Sequence, residues 1–216
     1  MPITHRENYL RNASFQSPEY MPAFLHISNA SWDQWRDDME EVVARHPTIW
    51  PEFEKGKRDW DHFDFGPAHT KGVPFKDAWG CVWESSVNGI EGVVTQAPLE
   101  SWDSWDAWHA PDPLKTGDRG PVDWDAIRGD MARRREAGEL CEGGLPHGFH
   151  FMRLTYLRGF GNMMMDMATE HPMLWRLIDA LYEHNRVIVD QYLDMGVDVM
   201  AIGEDLGTQN ASIISP

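Results

Sequence analysis

The sequence MGVDVMAIGEDLGTQ, residues 195–209, decides the fold. Its apolar part, residues 197–202, is typical of a strand that is covered on both faces. Polarity then switches at Glu204 and Asp205, and Gly207 follows. In α/β barrels the active site lies at the carboxyl ends of the strands. The Glu-Asp pair is therefore either a candidate group for proton transfer or cation binding, or a solvated turn.

Length and charge exclude some functions. A chain of 216 residues is long enough to form one domain with a sizeable core. A formal net charge of −16 makes nucleic acid a poor partner, and no apolar run is long enough to cross a membrane. The first residues lack the pattern of a secretion signal. We therefore expect a cytoplasmic protein in which Cys81 and Cys141 are reduced thiols.

The pattern of the chain predicts alternating strands and helices. We expect strands near residues 21–28, 73–77, 140–151 and 197–203. Three helices are predicted to start directly after N-capping residues, which are Thr4, Ser31 and Asp123. A long amphipathic helix is predicted to begin at Pro172 and to end at Gly196, which delivers the chain to the opening stretch.

Residues 80–120 are expected to be an insertion. Asn88-Gly89 is a strong two-residue turn signal, so residues 81–95 are predicted to form a β-hairpin. Tryptophan then recurs every three residues, at Trp102, Trp105 and Trp108, which suits one face of a helical turn. This face is either an aromatic wall for a flat ligand or a packing surface.

Three stretches carry a resemblance to a known family. They are GVDVMAIGEDLGTQ at 196–209, RLTYLRGFGN at 153–162 and DAWGCVWE at 77–84. Together they make residues 20–216 resemble the uroporphyrinogen decarboxylase superfamily. That superfamily includes tetrapyrrole decarboxylases and corrinoid-linked methyltransferases, and its fold is a (β/α)8 TIM barrel.

The resemblance implies that the chain is incomplete as a barrel. About four strands are predicted, whereas a closed barrel has eight strands and about 250 residues. We therefore expect a single domain over residues 1–216 that is the N-terminal half of an α/β barrel. A homo-oligomer or a companion chain is expected to supply the other half. In the methyltransferase branch, that other half carries the histidine and cysteine ligands of zinc.

Cofactors follow from the same resemblance. Zinc and a corrinoid are expected for the complete fold, and a corrinoid protein is expected among the partners. Cys81 and Cys141 do not form a paired ligand motif, so no metal ligands are assigned to this chain. His147 and His150 lie three apart and would face opposite sides of a strand, which makes them a poor chelating pair.

Candidate site residues come partly from the resemblance and partly from position. Asp77 and Tyr156 match pocket residues of the decarboxylase motif, although Asp77 is also compatible with a helix or turn cap. The catalytic candidates are Asp77, Tyr156, Glu204 and Asp205. The candidate substrate-binding residues are His150, Arg153, Trp79 and His147.

Function is expected to follow one branch of the superfamily. The first hypothesis is corrinoid- and zinc-linked methyl transfer or O-demethylation by the completed protein, with this chain inactive alone. The alternative is a tetrapyrrole carboxy-lyase, but residues 26–31 contain no arginine where that branch grips substrate carboxylates. A further alternative is a catalytically inactive half-barrel that binds a partner chain.

Overall fold

The structure, a computed structural model, describes residues 3–23, 25–50 and 53–214. It mixes helices with short strands. In chain order these are α1 (His5–Ala13), α2 (Asn29–Ala44), β1 (Phe75–Lys76), β2 (Val82–Glu84), β3 (Val93–Gln96), α3 (Trp124–Glu136), β4 (Glu142–Gly144), α4 (Phe151–Arg158), α5 (Phe160–Ala168), α6 (Pro172–Asp194) and β5 (Val199–Ala201). Short 3₁₀ helices occur at Pro67–His69 and Trp102–Ala107.

The described residues form two compact units, which we call the larger unit and the smaller unit. The larger unit takes residues from Met1–Glu19, Asp77–Cys81 and Gln96–Pro216. The smaller unit takes residues from Tyr20–Lys76 and Val82–Thr95. All of the site residues predicted from the sequence belong to the larger unit. The single domain predicted for residues 1–216 stays a prediction.

A parallel pair of strands organises the larger unit. β4 and β5 pair with Glu142 opposite Val199 and Gly144 opposite Ala201. α4, α5 and α6 form the crossover between them, as the connection of parallel strands requires. The strands predicted near 140–151 and 197–203 are therefore confirmed, although both are shorter than expected. β4 ends early because Pro146 has no N–H to donate to a strand ladder.

The core of the larger unit lies between α4, α5 and α6. Leu157, Met163, Leu177 and Leu181 are at most 1% exposed. The spacing of the buried residues on α6 is the apolar periodicity that predicted this helix. Among the described helices, none combines the length and the apolar character that crossing a bilayer needs.

The first two predicted strands are not parallel barrel strands. Residues 21–23 and 25–28 have no strand structure, and residue 24 lies outside the described residues. Met21 and Leu25 are 74% and 56% exposed, so this apolar run does not face a core that would hold it in a sheet. The strand predicted at 73–77 is reduced to β1, which pairs antiparallel with β2. Within the described residues the parallel sheet has two strands, so the α/β class holds in the coarse sense of mixed helix and sheet.

Helix starts follow the local signals with one exception. The Thr4 hydroxyl accepts a hydrogen bond from the Glu7 N–H, and Asp123 caps α3 in the same way. Pro172 is the first residue of α6. The cap predicted at Ser31 is instead Ser28, whose hydroxyl accepts the Ser31 N–H at 3.2 Å. Ser28 can take this role because it is the first serine with extended backbone before the helix.

The predicted insertion contains both elements that were expected in it. β2 and β3 are neighbours in one sheet, but residues 85–92 join them instead of a two-residue turn. The tryptophan segment is a 3₁₀ helix, in which three residues per turn align Trp102 with Trp105. Their ring centroids are 6.1 Å apart, and the Trp105 and Trp108 centroids are 5.6 Å apart. The tryptophans therefore pack on one another, and in addition Trp102 stacks on His171 and Trp108 on Trp79.

Candidate functional site

The candidate site lies where β4 and β5 end. β4 leads into the segment that contains His147 and His150, and β5 leads to Glu204 and Asp205. Parallel strands present their carboxyl ends on the same side, so these two segments meet. Backbone hydrogen bonds join them, since Phe149 N–H donates to the Gly203 carbonyl at 3.2 Å.

Glu204 caps helix α4 from across the fold. Its carboxylate accepts the backbone N–H groups of His150, Phe151 and Met152 at 2.7, 2.8 and 2.7 Å. The first N–H groups of a helix have no partner within the helix, and the positive end of the helix dipole favours a carboxylate there. The Glu204 charge is therefore held in place and balanced.

Tyr156 and His147 form a hydrogen-bonded pair at the rim. The Tyr156 hydroxyl lies 3.3 Å from Nδ1 of His147, and the rings are stacked with centroids 6.0 Å apart. Burial raises the pKa of Tyr156 to about 12, so the hydroxyl keeps its proton at neutral pH. Burial also lowers the pKa of His147, and the charges of Arg119 and Arg153 lower it further. The pair therefore holds a phenol and a neutral imidazole, which can donate and accept a proton.

Arg153 is the buried cation of the site. It is 3% exposed, and its Nη2 donates to the Asp118 carboxylate and to the His147 carbonyl, both at 2.6 Å. Its guanidinium carbon lies 4.9 Å from the centre of the Trp79 ring, within reach of a cation–π interaction. Nη1 lies 3.9 Å from Asp77 and makes no hydrogen bond.

Asp77 and Trp79 lie in a tight turn at the floor of the site. Asp77 is 6% exposed, and its carboxylate accepts the Cys81 N–H at 2.8 Å. This is the turn-capping contact that the sequence left open beside a pocket role. Trp79 is 3% exposed and donates its indole N–H to Asp118 at 2.7 Å. The Trp79 ring therefore supports Arg153 and Asp118 and does not offer an open face to a ligand.

His150 lies at the start of α4 with a half-buried ring. Burial lowers its pKa, against the opposing charge of Glu204. The ring stacks on Phe149 with centroids 4.1 Å apart, and Nε2 is buried without a hydrogen-bond partner. A neutral imidazole with one unused nitrogen is suited to a polar ligand group.

Asp205 is the exposed acid of the rim. Its negative charge raises the pKa of both His147 and Tyr156. It therefore lies within electrostatic reach of the hydrogen-bonded pair. The structure thus gathers the predicted residues around the first turn of α4, with Asp77 and Trp79 beneath Arg153 and with Asp205 toward solvent.

Sequence reasoning missed Asp118, Arg119 and His184. The first two lie between Gly117 and Gly120 in the predicted insertion, and no local signal marked them. His184 is 6% exposed, donates a hydrogen bond from Nδ1 to the Pro111 carbonyl at 3.1 Å, and lies 4.5 Å from the Trp79 ring. The sequence could have predicted that His184 is buried, because it follows Leu177 and Leu181 at helical spacing on the apolar face of α6.

Zinc is expected only for the completed fold, with ligands from the other half, and the two cysteines of this chain have other partners. The described residues contain no group of three or more histidine, cysteine or acidic side chains arranged to hold a metal ion. Cys81 and Cys141 are both buried, and their thiols donate to the backbone carbonyls of Tyr156 and Met131. Burial raises the pKa of Cys81, which disfavours the thiolate that zinc binds.

The smaller unit contains a groove of about 850 Å³. Trp32 and Phe53 line it, with ring centroids 5.8 Å apart, and the Arg58 guanidinium lies 4.2 Å from the Trp32 ring. Stacked aromatic rings form one wall of this groove. Acidic and basic side chains that contact one another, which proton transfer requires, lie at the ends of β4 and β5. We therefore take the ends of β4 and β5 as the candidate site.

No protein-family model, curated protein or solved structure matches this chain.

Proposed function

We propose that this chain is the N-terminal half of a uroporphyrinogen decarboxylase-superfamily barrel and acts in corrinoid- and zinc-linked methyl transfer or O-demethylation. The observation that supports this best is the parallel β4–β5 pair, which has the Tyr156–His147 hydrogen bond beside its carboxyl ends. A second half, from another copy or from a companion chain, completes the barrel. This chain alone is inactive.

The residues of this chain bind and orient the substrate and hold a proton. When a methyl group leaves an oxygen atom, that oxygen gains negative charge and then a proton. The Tyr156 hydroxyl, protonated at neutral pH, gives up this proton, and the resulting tyrosinate takes a proton back from water while it keeps its hydrogen bond to His147. The second half supplies the zinc ligands, because the buried thiols of Cys81 and Cys141 do not fit that role.

The second candidate function is a tetrapyrrole carboxy-lyase. It gains support from Arg153 and Arg119, since a substrate with several carboxylates needs fixed cations. It is weakened because the carboxylates of Asp77 and Asp118 lie beside Arg153 and offset its charge. Absorption spectra separate the two: a shift with porphyrins but not with cobalamin favours the carboxy-lyase.

A third candidate is a non-catalytic half that binds a partner chain. The β4–β5 sheet has only two strands in the described residues, so the outer edges of these strands can pair with another chain. The apolar residues Ile202 and Leu206, which follow β5, are 55% and 47% exposed. Light scattering tests the partner requirement that all three candidates share. A stable monomer with a cooperative thermal transition contradicts it.

The experiment that tests the proposal is an assay of the completed protein. The chain is joined to a second half that carries the histidine and cysteine zinc motif, and the product is assayed for methyl transfer to a thiol and for CO₂ release from uroporphyrinogen. Zinc-dependent methyl transfer without CO₂ release is the expected result. Release of CO₂ without methyl transfer overturns the proposal in favour of the carboxy-lyase.

A further inference from the structure

The groove of the smaller unit has the size and the lining of a small-ligand site. Its volume of about 850 Å³ lies within the range of about 300–1,000 Å³ that is usual for such pockets. Trp32 and Val43 are its most buried lining residues, at 5% and 1% exposed. Ile49, Trp50 and Phe53 also line it and are half-buried, so part of their apolar surface is open to a ligand. An apolar ligand that covers this surface gains from the hydrophobic effect.

The aromatic rings of the groove favour a flat ligand. Trp32 and Phe53 are stacked, with ring centroids 5.8 Å apart. Trp50 is held by a hydrogen bond from its indole N–H to the Leu25 carbonyl at 3.1 Å, and both of these residues line the groove. A planar conjugated ring can stack on such side chains, which adds to the gain from buried area.

Arg58 supplies the groove with a positioned cation. Its guanidinium carbon lies 4.2 Å from the centre of the Trp32 ring and 5.7 Å from that of the Trp60 ring. Stacking on a ring uses the flat face of a guanidinium, whereas its N–H groups point outward from the edge. Among the residues that the structure describes, no carboxylate forms an ion pair with Arg58. An anion in the groove can therefore accept from this edge.

The acids nearest to Arg58 in the chain have other partners. Glu54, the acid among the described lining residues, pairs with Lys57 at 3.2 Å. Asp59 accepts the backbone N–H of His62 at 3.2 Å and lies 2.9 Å from Nδ1 of the same residue. The charged lining residues Glu54, Lys57 and Arg58 thus give the groove one positive charge in excess, in a chain whose formal net charge is −16. The local charge favours an anionic ligand.

We propose that this groove binds a planar aromatic carboxylate, with the ring against Trp50 and Phe53 and the carboxylate on the edge of the Arg58 guanidinium. A carboxylate accepts two parallel N–H donors from one guanidinium, and the contact with Trp32 holds those donors in one plane. The inference goes beyond the proposed methyl transfer, because none of these residues takes part in that reaction. The two can therefore fail independently.

Calorimetric titration of the full chain with trans-cinnamate tests the inference. trans-Cinnamamide is the matched probe, because it has the same planar shape without the charge. We expect cinnamate to bind at least about tenfold more tightly than cinnamamide. Equal affinities, or no binding of cinnamate up to about 5 mM, overturn the inference.

An arginine variant assigns the charge preference to Arg58. Arg58→Gln is expected to weaken cinnamate at least about tenfold and to change cinnamamide by less than about twofold. Arg45→Gln is the matched control, since it removes an exposed arginine of the same unit, and it should leave both affinities unchanged. Circular dichroism establishes that each variant is folded. Folded Arg58→Gln that binds cinnamate as the parent does overturns the assignment.

A second variant tests the aromatic wall without touching the charge. Phe53→Leu keeps an apolar side chain but removes the ring, so it should weaken cinnamate and cinnamamide by the same factor, about threefold to tenfold. Unchanged affinities place the probes elsewhere and overturn the inference. Light scattering tests a second copy of the chain as the occupant. A dimer that becomes a monomer in Phe53→Leu, together with no heat from cinnamate, assigns the groove to that copy and also overturns the inference.

Discussion

The Glu204 carboxylate accepts a hydrogen bond from the backbone N–H of His150 at 2.7 Å, although 54 residues separate them in the chain. The contact ties the segment after β5 to the first turn of α4. The sequence left Glu204 as either a catalytic candidate or part of a solvated turn, and the structure places its carboxylate on the first N–H groups of α4. A residue of the 195–209 segment therefore holds the start of α4, the helix that carries Arg153 and Tyr156.

Glu204→Gln is expected to lower the free energy of unfolding by about 1–3 kcal/mol, because the amide loses the charge and can accept with one oxygen only. Urea denaturation measures the change. Asp205→Asn is the matched control, since it removes the same charge from the exposed neighbouring residue. It should alter stability by less than about 0.5 kcal/mol. Equal effects of the two substitutions would show that the cap contributes nothing.

Asp166→Asn is expected to destabilise the larger unit by about 3–5 kcal/mol, because it leaves a buried guanidinium without its counter-charge. Arg158 and Asp166 are 7% and 5% exposed, and Nε lies 2.7 Å from the carboxylate. Thermal unfolding provides the measurement. The control is Arg186→Gln, whose ion pairs on α6 are half exposed and should contribute less than about 1 kcal/mol. A smaller loss for Asp166→Asn than for Arg186→Gln contradicts the prediction.

Stability is expected to fall as the pH drops below about 6.5, the ordinary pKa of histidine. Burial lowers the pKa of His184, so the unfolded chain binds a proton at a pH where the folded chain does not. The contribution is complete above that pH and is lost on acidification toward the folded pKa. In His184→Phe the unfolding free energy should change less with pH between pH 7 and 5 than in the parent chain. Part of the pH dependence should remain, because the pKa values of His147 and His150 are lowered as well.

The control for that titration is His109→Gln, since the His109 side chain is exposed. This variant should keep the slope of the parent chain. An unchanged slope in His184→Phe would show that His184 is not the titrating group.

Removing the contact between Arg6 and Asp198 is expected to loosen α1 from the segment before β5. Arg6 donates to both carboxylate oxygens of Asp198, at 2.8 and 2.6 Å, and this pairing lowers the pKa of Asp198. Arg6→Gln should cost about 1 kcal/mol, since the arginine is partly exposed. The stabilisation exists above the ordinary pKa of aspartate, about 3.8, and disappears as the pH falls through the lower folded pKa. The difference between the denaturation curves of the two chains should therefore be smaller at pH 3 than at pH 6.

The sequence predicted what local signals determine. Short-range hydrogen bonds and apolar spacing determine three elements that the sequence predicted correctly. They are the cap at Asp123, the start of α6 at Pro172 and the strand before Glu204. The strand expected at 21–28 was wrong, because its apolar residues needed a distant sheet to cover them. Arg119 and the capping role of Glu204 were missed for the same reason, since both depend on contacts between segments far apart in the chain.

We propose that residues at the carboxyl ends of β4 and β5 carry the chemistry, and Tyr156→Phe in the completed protein removes the proton donor of this site. The substitution removes the hydroxyl that pairs with His147 and keeps the ring. We predict that kcat for methyl transfer falls by at least about a hundredfold while the unfolding midpoint is retained, and that Tyr182→Phe, on the exposed face of α6, is unchanged. Methyl transfer by folded Tyr156→Phe at the rate of the parent protein would contradict the account.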